Sequence, residues 1–162
     1  MTLKDLNKNA KYYLDIIMTQ VNPDQDINID EHKKSIRDML DPFEGHLYEC
    51  YNSKGKYDHN SLRYNAPHMS ESAAKLKPTL TKYEFLSLVH REHAKPLTIL
   101  IKEMQGLSGQ KLLDYLYKNL KSVTILKEEA RIIDKKYKTT MPDNTKIFSR
   151  FEEFGINIVK NN

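Results

Sequence analysis

Apolar residues spaced three and four apart recur through most of this chain, and that spacing constrains its fold more than any other feature. Leu3, Leu6, Ala10, Tyr13, Leu14, Ile17, Met18 and Val21 fall on one side of a helix, because 3.6 residues per turn return every third or fourth side chain to the same face. Thr2 with Asp5 forms a capping-box pattern, Asn22-Pro23 ends the helix, and Asp24 to Asn28 makes a polar connection. Asp30 caps a second helix with Ile36, Met39 and Leu40 inside. Asp41-Pro42 with Glu44 stops it and starts a third, whose inner stripe is Phe43, Leu47, Cys50 and Tyr51.

Downstream, Thr81 and Glu84 form another capping box ahead of Phe85, Leu88 and Val89. Pro96 disfavours helical geometry at Lys95, so the chain bends just after His93. Leu97, Leu100, Ile101 and Met104 begin anew, with Gly106 as a stop, and Ser108 caps a helix striped by Leu112, Leu113, Leu116, Tyr117 and Leu120. The β-branched run Val123 to Leu126 reads either as a short strand or as the entry to a helix capped by Thr124 and continuing through Ala130, Ile133 and Tyr137. Thr139 to Thr145 is turn-rich, Ile147, Phe148, Phe151 and Phe154 form a last short helix, and Ile156, Ile158 and Val159 an extended tail. The spacing predicts a mainly α fold: a single helix-rich domain over 1–162, with six to eight helices and at most a short two-stranded β element. Periodicity fails over 52–78, which is expected to be a long polar loop.

A length of 162 residues suits one domain with a real core, and 39% apolar against 30% charged residues is a globular balance. No apolar run is long enough to cross a bilayer, and the first residues lack the basic and apolar regions of a secretory signal. The single Cys50 makes no internal disulfide, so a cytoplasmic protein is expected. The net charge of +4 is uneven. Residues 1–80 carry 11 Lys and Arg against 12 Asp and Glu, and residues 81–162 carry 15 against 10, which favours an anionic partner for the second half.

Lys54, Lys56 and Arg63 lie among Tyr57 and Tyr64, a mixture that suits phosphates and stacked bases. A solvated loop with its tyrosines folded onto the core is the preferred reading, since the basic side chains there are few. His46 and Cys50, four apart, could join His59 and His68 around zinc, but no compact zinc spacing is present and Cys50 belongs to an apolar stripe. Packing is preferred there. Single scattered glycines exclude a phosphate-binding glycine loop, and no serine lies in a nucleophile-elbow context.

The most specific local pattern is Glu92-His93-Ala94-Lys95-Pro96-Leu97, followed by Lys118-Asn119-Leu120-Lys121-Ser122-Val123-Thr124 and then Glu128-Glu129-Ala130-Arg131. Over residues 90 to 132 this resembles the HNH endonucleases of the ββα-metal class, although the histidine of the closing helix is missing and Glu128 or Glu129 falls near its place. The resemblance implies His93 as the general base that activates water and Asn119 as the residue holding its loop. It also implies Glu92 with Glu128 or Glu129 as ligands of a divalent metal, magnesium or manganese. Arg91, Lys95, Lys118 and Lys121 would then contact phosphates, with Lys54, Lys56 and Arg63 as further nucleic-acid-binding residues. The expected function is a nucleic-acid-associated protein hydrolysing phosphodiesters. The alternative is a non-catalytic helical interaction or regulatory protein, phage-, plasmid- or defence-linked, that binds protein or nucleic acid.

Overall fold

The computed structural model describes residues 1–21, 29–52, 54 and 56–161, with the backbone alone for 29–33. The expected helix end at Asn22-Pro23, the connection Asp24 to Asn28 and the capping side chain of Asp30 lie outside the described residues. In chain order the elements are α1 (Lys8–Gln20), α2 (Ile29–Leu47), α3 (His59–Asn65), β1 (His68–Ser70) and α4 (Glu71–Leu76), then a 3-10 turn (Lys77–Thr79) and α5 (Lys82–Leu88). They continue with β2 (Val89–His93), α6 (Leu97–Met104), α7 (Gly109–Asn119), β3 (Ser122–Leu126), α8 (Lys127–Tyr137), α9 (Ser149–Glu152) and β4 (Ile158–Lys160). Two compact units result: the first holds Met1–His59 with Leu97–Leu120, the second Asn60–Pro96 with Lys121–Asn162.

The first unit is helical. Leu14 and Ile17 of α1, Ile36, Leu40 and Phe43 of α2, Leu100, Ile101 and Met104 of α6, and Leu112, Leu113 and Leu116 of α7 form one buried cluster. At roughly 1.5–3 kcal/mol per buried side chain of this size, that shared apolar stripe stabilises the unit. Thr2 and Asp5 bond as expected, the Thr2 N–H donating to Asp5 Oδ2 at 2.7 Å. The helix nevertheless begins at Lys8, where the Asn7 side chain accepts the Ala10 N–H at 2.8 Å. Nor does Asp41-Pro42 divide two helices, because α2 runs through Pro42 to Leu47. Burial of Ile36, Leu40 and Phe43 along one face offsets the hydrogen bond that proline cannot donate. Beyond α2, Glu49 takes φ 55°, which takes Cys50 and Tyr51 off the helix.

The second unit overturns the mainly α expectation. It contains a four-stranded mixed sheet in the order β2-β3-β1-β4, and the fold is α/β. β1 runs parallel to β3 and antiparallel to β4, while β2 runs antiparallel to β3. Register sorts the two faces. Val123 and Ile125 stand opposite Glu92 and His90 and pack with Ala130, Ile133 and Phe151 from α8 and α9. Met69 and Arg91 pair with Thr124 on the other side of the pleat, where Met69 and Val89 meet Ala73 and Phe85 of α4 and α5.

Two of these strands do not look like strands in the sequence. β2 is Val-His-Arg-Glu-His, with Val89, Arg91 and His93 buried, His90 exposed and Glu92 half-buried, a period of two written largely in polar residues. β1 is only three residues long, inside a stretch expected to be loop. Residues 52–78 in fact hold α3, β1 and α4 as well.

Candidate functional site

The polar cluster His90-Arg91-Glu92-His93 sits on β2, at one edge of the sheet. Strand alternation splits it: His90 and Glu92 share one face, Arg91 and His93 the other. Glu92 Oε2 accepts from Arg150 Nη2 at 2.8 Å, and its Oε1 lies 3.1 Å from His90 Nε2. Arg150 is almost wholly buried. It also donates from Nη1 to the Tyr137 carbonyl at 3.2 Å and from Nη2 to the His93 carbonyl. Phe151, next to it on α9, is anchored in the core and lies 5.2 Å from the guanidinium, which explains how so short a helix aims an arginine inward.

Electrostatics follow from this arrangement. Burial opposes ionisation of Glu92, yet the hydrogen bond from His90 and the charge of Arg150 leave its pKa below the ordinary carboxylate value. Burial pulls the Arg150 pKa down and Glu92 pulls it back; an arginine stays charged under such a shift. A guanidinium and a carboxylate thus bind the edge strand to α9 and orient an imidazole that is 52% exposed.

The other expected residues are dispersed. Arg91 is buried and donates from Nη1 to Ser122 Oγ at 3.0 Å, and His93 and Lys95 are buried too. Glu129 Oε2 accepts the Ser70 hydroxyl at 2.6 Å and the Leu126 N–H at 2.8 Å, which ties β1 to the first turn of α8. Glu128 is exposed and lines a hollow together with Leu76, Leu88 and Leu126. Asn119 belongs to the first unit, where its amide donates to the Tyr115 carbonyl at 2.9 Å. Lys118, also in the first unit, is exposed, as are Lys54 and Lys56; Lys121 and Arg63 are half-buried, and Arg63 Nη2 donates to Asn60 Oδ1 at 3.1 Å.

As a set for magnesium or manganese these carboxylates do not fit. Glu92 has one oxygen held by the Arg150 guanidinium and the other beside His90 Nε2, and Glu129 serves as a helix cap. Among the described residues no three His, Cys, Asp or Glu side chains converge as a metal site. The second histidine set is a packing set. His46 stacks on Tyr13 with ring centres 5.5 Å apart and leans on Tyr51 at 4.8 Å, Cys50 is buried, and His68 rests 5.1 Å from the Phe148 ring.

Sequence reasoning misses Arg150, which carries no motif, and a line of exposed cations on and just beyond α8. Lys127, Arg131, Lys135 and Lys138 are all exposed, and spacings of four, four and three place them within one stripe of the helix. Comparison with protein-family models, with curated proteins and with solved structures gives no match.

Proposed function

We propose that this chain is a nucleic-acid-associated protein whose second unit binds the phosphate backbone. One observation carries the reading: charge is partitioned between the units. The second holds 15 Lys and Arg against 9 Asp and Glu, a net +6, while the first holds 11 against 13, a net −2. The excess includes the exposed stripe Lys127, Arg131, Lys135 and Lys138, and cations spaced along a helix release counterions when they meet phosphates.

The test is a fluorescence-anisotropy titration of the full chain with labelled single-stranded DNA, duplex DNA and RNA at several salt concentrations. Four phosphate contacts predict an affinity falling roughly 100-fold between 50 and 200 mM salt. Arg131→Gln with Lys135→Gln should weaken all three ligands and flatten the salt slope by about one for each phosphate no longer engaged. Binding that ignores salt and both substitutions would sink the reading and favour a protein ligand. Magnesium or manganese added to the same mixtures tests the hydrolysis that the HNH resemblance implies. With Glu92 and Glu129 already held by donors, binding without scission is expected; scission abolished in His93→Ala would restore the endonuclease.

A further inference from the structure

Where β3 passes into α8 the second unit carries a hollow of about 370 Å3, lined by Leu76, Ser87, Leu88 and Leu126 together with Lys127, Glu128 and Arg131 of α8. It falls within the size of small-ligand sites. The leucines are the last residues of α4, α5 and β3. Leu76 and Leu126 are half-buried and Leu88 is 45% exposed, so each still offers apolar surface to an occupant. Lys127, Glu128 and Arg131 are exposed, and among the described residues none of the three is tied by a hydrogen bond or an ion pair. Arg131 follows Glu128 by three positions and Lys127 by four, which sets it one turn beyond both on the same side of the helix.

Lys127 and Arg131 belong both to this hollow and to the exposed stripe of α8, so a strand laid along the stripe passes the mouth of the hollow. What enters there has to bring apolar surface for the leucines and hydrogen-bond donors for a carboxylate, with anions beside the two cations. A nucleobase on its sugar-phosphate chain has that distribution, apolar on its faces and polar at its edges. In a duplex the base is stacked and its Watson–Crick edge is paired, so an unpaired base is required. Glu128 narrows the choice. Guanine presents two adjacent donors, N1–H and N2–H, to the two oxygens of one carboxylate, whereas adenine and cytosine present one amino group, and thymine or uracil one imino group between two carbonyls. We propose that the hollow takes an unstacked guanine from a single strand, its face against Leu76, Leu88 and Leu126, its Watson–Crick edge read by Glu128, and its flanking phosphates on Lys127 and Arg131. The inference rests on the nucleic-acid reading and names the kind of strand and the base that the second unit selects.

The experiment is a fluorescence-anisotropy titration of the full chain with a labelled thymidine 12-mer carrying one central guanine, adenine, cytosine or abasic residue, with the uridine counterparts, and with a duplex of the guanine strand. The guanine strand should bind more tightly than the other three by at least about fivefold, the lower end of what one bidentate pair discriminates. Glu128→Gln should bring the ratio of guanine to adenine close to one. Leu88→Ser should weaken the guanine strand to the level of the abasic one and leave the duplex unchanged. Both positions are exposed, and circular dichroism should show both variants folded. Salt-dependent binding with equal affinities for guanine and abasic strands, or a guanine preference that survives Glu128→Gln, would overturn the hollow as a base site while the phosphate stripe stands. No binding of any strand or duplex by the unaltered chain would remove the nucleic-acid reading and this inference with it.

Discussion

The two units solve the problem of burial in opposite ways. In the first, among the described residues, Glu44 and His46 are the buried polar side chains, and the rest of the core is apolar. Among its described residues the second buries nine polar side chains, Arg91, His93, Lys95 and Arg150 among them. An apolar core loses stability in proportion to what is removed, whereas a buried ion pair fails abruptly, because removal of one partner strands the other. The unit with the larger positive charge is thus also the one whose interior depends on pairing.

The sharpest way to break this contrast is Arg150→Ala. It leaves Glu92 and two carbonyls without their donor, and a loss of about 3–5 kcal/mol is expected for a buried pair cut on one side. Urea denaturation measures the loss. Amide exchange should rise in β2, α8 and α9 while protection in α1 and α2 holds, and a loss shared evenly by both units would refute the contrast. Arg150→Met combined with Glu92→Leu should cost much less than Arg150→Ala alone, since no charge is then stranded.

In the first unit the corresponding weak point is steric. A Cβ built on Gly45 of α2 would lie 2.3 Å from Tyr57 Cδ2 and 2.7 Å from Cε2. Alanine normally stabilises a helix interior by about 1 kcal/mol over glycine. Here overpacking should reverse the sign, for a net loss of roughly 1–3 kcal/mol. In a Tyr57→Leu background the same change should become neutral or stabilising. A Gly45→Ala protein with raised stability and Tyr57 intact would show that the ring yields.

The smallest effect concerns pH. Burial, then the charges of Lys121 and Lys160, hold the His68 pKa below its ordinary 6.5. The unfolded chain takes up this proton first, so the contribution of His68 is intact above about pH 6.5 and is lost as pH falls toward the lowered folded value. His68→Gln should flatten the stability of the second unit across that window, as followed by its amide exchange. An unchanged pH slope would assign the dependence to another group.

How much of this can be read from residues alone follows the same division. The capping box of Thr81 and Glu84 is present, with reciprocal bonds, at the start of α5. α6 runs Leu97–Met104 and Gly106 follows with φ 78°, and Val123 to Leu126 lies within β3. Those elements announce themselves locally, through side chains that bond their own backbone or repeat at a helical period. Pro42 misleads because the partners that bury α2 lie far from it in sequence. β2 and β1 escape a local reading because their strand character comes from pairing with β3, not from their composition. Arg150 gives no signal, since an arginine beside a phenylalanine is ordinary until Glu92, 58 residues away, turns out to face it.

Because each unit is assembled from two separate stretches, the chain passes between them three times. On a ribosome, α1 and α2 would emerge with their apolar faces uncovered, and would wait for α6 and α7 until residues 60–96 had been made. The sheet, likewise, would lack β3 and β4 until after α7. Neither unit can be released intact by one cut or expressed by one truncation, so fragments of the chain would report on broken cores rather than on separate parts.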